Sequence, residues 1–355
     1  MKIQSAFIRA IRPVMVGATA IATIALPQIA PADESGVSFW LPGLYGSLAA
    51  VPQAAPGWSL YTFNYYDRVS AGADVARARE VQIGRFTPTA TVNLSANLNA
   101  MVDLQWIQPN YAFATPVLGG QLMLSMGMFV GHEDANLAGT LTATVPPFGL
   151  IRSDNINSSV TGFGDLYPVA TLRWHNGVDN WMAYVTGAIP VGLYNSMRLS
   201  NLGNGHGAID GGGGYTYLNP ATGHELSGVG GFTYNFKNPD TGVQSGVDFH
   251  FDWGASQFLS KQLFVGLVGY AYQQISNDTG PIPIQNGFKS RVLGVGPQIG
   301  YLFPVGNMQG YLNLKAYGEF AAENRPSGWN AWLTFSISPA APESTVVPTK
   351  HLVTK

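Results

Sequence analysis

Thr89-Ala-Thr-Val-Asn-Leu-Ser-Ala-Asn-Leu-Asn-Ala-Met-Val-Asp-Leu-Gln-Trp106 alternates residue by residue. The even positions hold Ala90, Val92, Leu94, Ala96, Leu98, Ala100, Val102, Leu104 and Trp106, and the odd ones are polar except for Met101. Successive side chains of a strand point to opposite faces, so this run is one ribbon with an apolar and a polar side. A globular strand has about five or six residues, whereas about 9 to 11 residues of a tilted strand cross a bilayer. A run this long suits a membrane strand continuing beyond the lipid. The expectation is that its apolar face meets lipid and its polar face the lumen.

Working outward, the same period returns three times. Val247, Phe249, Phe251 and Trp253 oppose Asp248, His250 and Asp252. Leu166, Pro168, Ala170, Leu172 and Trp174 oppose Asp165, Tyr167, Thr171, Arg173 and His175. Leu312, Leu314, Ala316 and Phe320 oppose Tyr311, Asn313, Lys315, Tyr317 and Glu319. Charges facing away from bulky apolar residues, with no helix to cover either side, fit an all-β barrel that is greasy outside and polar inside. Turn residues bound about 12 strands: 57 to 68, 86 to 108, 120 to 132, 162 to 175, 180 to 194, 212 to 219, 224 to 237, 244 to 258, 262 to 276, 288 to 303, 309 to 322 and 328 to 338. Tight connections at 176–179, 219–223, 259–261 and 304–308 contrast with long ones at 133–161 and 195–211, the turn-and-loop asymmetry of an outer-membrane barrel. The connection at 109–119 is longer than that rule asks. Trp58, Trp106, Trp174, Trp181 and Trp253 fall at one predicted level, as interfacial indoles would.

Composition agrees. Of 355 residues, 46% are hydrophobic and only 11% charged, against about 25% charged in ordinary soluble domains. The formal net charge of −2 with scattered bases offers no stripe for nucleic acid. The absence of cysteine excludes a disulfide scaffold, a zinc ribbon and a thiol nucleophile.

Residues 1–32 read as a cleaved secretory signal: Lys2, Arg9 and Arg12 precede the apolar stretch from Val14 to Leu26, and Ala30-Pro31-Ala32 supplies a cut before Asp33. Removing those three bases takes the net charge from −2 to −5. Residues 33–56, with Trp40, Leu41, Leu44 and Tyr45, suggest a short apolar helix near Pro42 to Val51. This segment is expected to plug the lumen rather than lie on the rim. The barrel occupies 57–338, and the Pro-rich stretch 339–355 reads as a disordered tail.

Asp248, His250 and Asp252 are spaced at i, i+2 and i+4, about 6.5 to 7 Å between neighbours on one face, which suits a lumen-lining row better than one metal site. Asp165, Arg173, His175, Glu225, Lys315 and Glu319 read as charges that cross-link the lumen or touch solute. Tyr167, Tyr184, Tyr311 and Tyr317 offer inward aromatic faces for an apolar or aromatic ligand. His132-Glu133-Asp134 and the stretch around His206 fall in predicted loops. Gly211 to Gly214 lacks the spacing of a nucleotide fingerprint, no G-x-S-x-G elbow occurs, and nothing calls for a cofactor or metal. Pro88, Pro168, Pro190 and Pro297 sit inside predicted strands, where each deletes a ladder hydrogen bond. Pro168 and Pro190, on consecutive strands, suggest a lateral opening, with plain bulges as the alternative.

These residues also resemble a known family, the outer-membrane proteins of the meta-pathway of phenol degradation. The resemblance is carried by Gly36-Val-Ser-Phe-Trp-Leu-Pro-Gly43, Gly162-Phe-Gly-Asp-Leu-Tyr-Pro168, Pro190-Val-Gly-Leu-Tyr194, Tyr217-Leu-Asn-Pro-Ala-Thr-Gly223, Asn238-Pro-Asp-Thr241 and Gly294-Val-Gly-Pro-Gln-Ile-Gly-Tyr301. It implies an outer-membrane β-barrel of a Gram-negative bacterium that takes up hydrophobic or aromatic compounds, with no catalytic residues to carry over. Its partners would be outer-membrane lipids, the solute and the barrel-assembly machinery. A passive transporter or diffusion channel is the leading expectation. The alternatives are an outer-membrane enzyme resembling a lipase and a structural barrel without solute flux.

Overall fold

A computed structural model describes residues 38–71, 91–145, 148–280 and 289–341. The expected signal sequence, Pro88 and most of the expected C-terminal tail lie outside them. The strands are β1 (Gly57–Ala71), β2 (Thr91–Ala112), β3 (Gln121–Val145), β4 (Phe148–Asn176), β5 (Asp179–Ala188), β6 (Ala208–Asn219), β7 (His224–Asn235), β8 (Asp248–Phe258), β9 (Leu263–Gln274), β10 (Arg291–Val305), β11 (Met308–Glu323) and β12 (Ser327–Pro339). Each pairs antiparallel with its chain neighbours, and β1 meets β12 from Leu60↔Ile337 to Ser70↔Ser327. Closure leaves no open edge, as spanning a hydrocarbon layer requires. Among the described residues no helix is long and apolar enough to cross a membrane.

Alternation assigns the faces. Leu226, Phe232, Phe251, Leu267, Leu314 and Leu333 point outward and are exposed, forming an apolar belt. Asp248, His250 and Asp252 point inward and are buried, as do Asn313, Lys315 and Tyr317. Trp58 and Trp181 stand exposed at the ends of β1 and β5. Trp253 is mid-strand rather than at the expected rim level, because β8 continues five residues past it to Phe258.

The deciding ribbon is turned the other way round from the expectation. Leu104 is buried in an inward cluster with Phe63, Tyr65 and Trp332, and Val102 and Trp106 pack against it. Asn97, Asn99 and Asp103 are exposed on the outside. The reason is height. On β3 the outward face runs Leu124, Met126, Met128, Val130 and then His132, Asp134, Asn136. On β4 it runs from Leu172 up to Phe163 and then Thr161, Ser159, Asn157. The greasy belt therefore stops below His132, whose β2 partner is Asp103. Above that level water wets the outside, so the polar face can look outward and the apolar face can turn in.

The expected long loop at 133–161 is largely strand. The β3–β4 ladder continues upward to Val145↔Phe148. Its β-branched residues, including Thr140, Thr142, Ile151 and Val160, favour a pleated ladder over the loop that its Gly, Asn and Asp content suggested. The connection after β2 is shortened similarly: Val117 and Gly120 bridge across Leu118 and Gly119, both at positive φ.

Candidate functional site

Ser38 to Gln53 runs inside the barrel, held by side chains of the wall. Asp252 accepts the Gly43 and Tyr45 amides at 2.9 and 3.1 Å. The Lys315 ammonium donates to the Gly43 and Leu44 carbonyls, and the Tyr317 hydroxyl donates to Gly43 at 3.3 Å. Lower down, Glu225 accepts the Leu48 amide at 2.9 Å, Thr216 the Ala50 amide at 3.0 Å and Gln121 the Gln53 amide at 2.9 Å. Gly43 has φ of +87°, and a Cβ there would sit 3.0 Å from the Tyr270 and Tyr317 rings. The helix expected near Pro42 to Val51 does not form. Its backbone groups are taken by wall side chains instead of by an i→i−4 ladder, leaving single turns at Leu41–Leu44 and Leu48–Val51.

The remaining expected residues also act on this segment or its surroundings. The Trp40 ring stacks on His250 at 3.6 Å, nearly parallel, and lies 5.9 Å from Tyr184. Behind it His250 Nε2 is 3.0 Å from Asp210 and 3.2 Å from the Tyr184 hydroxyl. Leu41 and Leu44 pack on the inward aromatic cluster, and Tyr45 lies against Trp40. Asp248 accepts from Asn235, and Arg173 donates to Thr171. His175 pairs with Asn180, and the Tyr311 ring lies 6.4 Å from Phe264. Glu319 accepts from Tyr270 and from the Gly328 amide. Among the described residues, Asp165, Glu225 and Lys315 bond to backbone of the inner segment and of a loop. Such chain, threaded within the wall, supplies peptide groups at closer range than the opposite strand can. Among the described residues no group of three His, Asp or Glu could hold a metal.

That loop is 189–207, between β5 and β6. Asp165 accepts the Gly192 and Asn204 amides at 2.8 and 3.0 Å, and Glu133 accepts the Asn201 amide at 3.2 Å. Asn201, Leu202 and Asn204 are buried, whereas Val191, Leu193 and Met197 are exposed. The loop thus roofs the lumen with one side and shows apolar residues outward with the other. His132 and Glu133, expected in a loop, lie on β3, with His132 outward beside Thr161 at 2.6 Å and Asp134 at 2.9 Å.

Between roof and inner segment lies a cavity of about 120 Å³. Phe39, Trp40, Phe63, Leu104, Trp106, Phe129, Tyr167 and Tyr184 line it, with Gln108, Glu133, Asn201 and Asn204 as polar points. Trp106 is the hub, stacked on Phe63 at 5.5 Å and 5.0 Å from Tyr167. Sequence reading found Trp40, Tyr167 and Tyr184 but missed Phe63, Trp106, Phe129 and Glu133. The Tyr61-x-Phe63-x-Tyr65 alternation was the available signal for an inward aromatic face.

The wall beside this cavity is thin. The β4–β5 ladder runs only from Val169↔Thr186 to Asn176↔Asp179, and above it stands the single bridge Leu166↔Ile189. Pro168 lies in β4, with its carbonyl accepting the Thr186 hydroxyl at 3.0 Å. Pro190 is not in a strand: β5 stops at Ala188, and the chain leaves the wall to form the roof. Pro297 stays within β10, facing outward.

No curated protein sequence matches this chain. Among solved structures, it is similar to the COG4313 outer membrane channel from Pseudomonas putida F1, with a TM-score of 0.59 at 14% identity, covering 80% of this chain and 97% of that one. It also matches the transport unit of the autotransporter AIDA-I from Escherichia coli, with a TM-score of 0.38 at 9% identity, covering 86% of this chain and 95% of that one. The first likeness establishes the fold, that of an outer-membrane β-barrel. Residues 76–335 match the family described as "Putative MetA-pathway of phenol degradation", and the chain belongs to that family.

Proposed function

We propose that the protein is a passive outer-membrane channel for small apolar or aromatic molecules, exported behind a cleaved signal sequence and inserted by the barrel-assembly machinery. The observation that carries this reading is the aromatic cavity, enclosed between a hydrogen-bonded roof and a hydrogen-bonded inner segment, where a polar lumen would be the default. An apolar solute gains by leaving water for such a site. Two exits are available to it. One runs past the inner segment toward the rim carrying the tight turns. The other is lateral, through the short β4–β5 ladder beside Pro168, whose uppermost pair, Val169 and Thr186, lines the cavity. Pro190 contributes by lacking the amide that could have extended the ladder. In this reading flux follows the gradient.

The test is uptake of labelled alkylbenzene, phenol and fatty acid by a deletion strain with and without the chain. Faster uptake of at least one class with the chain is expected. Equal uptake of all three would remove the reading.

A further inference from the structure

Above the belt, the outward face of β1 to β4 carries a second and larger concavity that takes no part in the channel. The ladders set three rows across it. Tyr66, Asp103, His132 and Thr161 stand abreast, then Arg68, Met101, Asp134 and Ser159, then Ser70, Asn99, Asn136 and Asn157. Alternate residues of a strand are about 6.8 Å apart, so the third row lies about 20 Å along β3 from Val130, where the apolar belt ends on that strand. A groove of about 520 Å³ opens among Arg68, Asn99, Asp134, Asn136 and Asn157, a volume within the range of small-ligand sites. One of its walls is already set: the Asn136 amide donates to Asn155 and Asn157, and His132 bridges Thr161 and Asp134. Across from that wall, Arg68 and Asn99 are exposed and make no side-chain hydrogen bond to another described residue. Trp329 of β12 pairs with Arg68 in the ladder, is 47% exposed, and packs its ring 5.3 Å from that of Tyr66.

We propose that this face is a docking surface for the hydroxyl-rich core sugars of an outer-leaflet glycolipid. Height, chemistry and charge select that occupant. The rows begin where the apolar outward residues end, on the side away from the tight turns, and in outer-membrane barrels that side is the cell exterior. Acyl chains therefore stop below the groove, and the level of the groove belongs to headgroups. A carboxamide offers two donors and an acceptor, so Asn99, Asn136 and Asn157 abreast match hydroxyls, each of which also donates and accepts. The ring pair of Tyr66 and Trp329 adds an amphipathic ledge for the apolar side of a sugar. Asp103 and Asp134 outnumber the one permanent cation of the rows, Arg68, which makes the face a poor reader of phosphate. A second copy of the chain would ask for a patch depleted of charge at its centre, and here Arg68 and Asp134 hold the centre. The surface is independent of what the channel carries.

The experiment holds the full-length protein on a surface in detergent micelles and titrates it with three labelled lipids. They are lipopolysaccharide with its full core, the same lipid cut back to its acylated disaccharide, and phosphatidylglycerol. Two neutral hydrogen bonds of ordinary net strength correspond to about 10-fold in affinity, so the full-core lipid is expected to bind about 10-fold more tightly than either of the others, with EDTA present or absent. Asn99→Leu/Asn157→Leu, at exposed outward positions, should bring the full-core lipid down to the level of the truncated one in a barrel that keeps its heat-modifiable migration. Should that double variant fail to fold, Asn99→Ala, which removes a carboxamide without adding apolar surface, should still cost several-fold. Equal binding of the three lipids would overturn the proposal. So would a preference that EDTA removes, which would mean cation bridging from Asp103 and Asp134 to phosphate. A folded double variant that keeps the preference but changes oligomeric mass would also overturn it, and would make the face an interface between copies.

Discussion

Glu133 shows what one buried carboxyl does under a roof. It lies above the apolar belt, and burial pushes its pKa up to about 8 from 4.5, with the Asn201 amide pulling the other way and Asp134 adding to the rise. The roofed arrangement therefore holds a proton that a solvent-exposed Glu133 would release. Linkage fixes the sign: the form binding more protons loses stability as pH rises. Roof closure is strongest below about pH 4.5, weakens progressively up to about pH 8, and changes little beyond. Amide exchange at Asn201, corrected for its intrinsic pH dependence, should accelerate across that interval in the native protein and stay flat in Glu133→Gln. An equally flat profile in both would contradict the assignment of the roof contact.

At the scale of elements, the β4–β5 junction is the weak course in an otherwise continuous wall. Leu166 and Ile189 exchange both amide-to-carbonyl bonds, at 3.2 and 2.8 Å. Residues so paired lie about 5.5 Å apart at Cα, within disulfide range. Because the chain has no cysteine, the double variant Leu166→Cys/Ile189→Cys forms its bond without competitors. Oxidation should suppress transfer of toluene from outside into the surrounding lipid by at least several-fold, and reduction should restore it. Transfer at the same rate in both states would exclude this junction as an exit. Much of the element pattern was legible in advance, because Asp248, His250 and Asp252 alternate with residues that lipid and lumen sort unambiguously. Val102 shows where legibility ended. Period two separates two faces without saying which is outside, and the answer depends on height above the belt, which neighbouring strands alone reveal. Loop 189–207 was illegible as a roof for a related reason: Asp165 and Glu133 reach it only after β3 and β4 have paired.

For the whole molecule, the wall and the inner segment are separable. The twelve-strand ladder closes through β1 and β12 without using residues 38–50. Deleting 38–50 should therefore leave a heat-modifiable barrel whose single-channel conductance in planar bilayers rises several-fold, since the obstruction is gone while the wall persists. A folded deletion variant with unchanged conductance would show that the segment does not limit passage. What sequence could not supply at this scale was the seating of the segment, because its anchors Asp252, Glu225 and Lys315 come from strands far along the chain.

Those anchors also bear on the order of assembly. The bonds from Gly43 to Asp252 and Tyr317 span separations of 209 and 274 residues, and contacts this distant in sequence are slow to form. The stretch made earliest is thus among the last to find its partners. It must wait outside while β8 and β11 are laid down, then be enclosed as the first strand meets the last. Because the wall can close without residues 38–50, a barrel zipped before that stretch arrived would be a kinetically trapped hollow isomer with the same covalent chain.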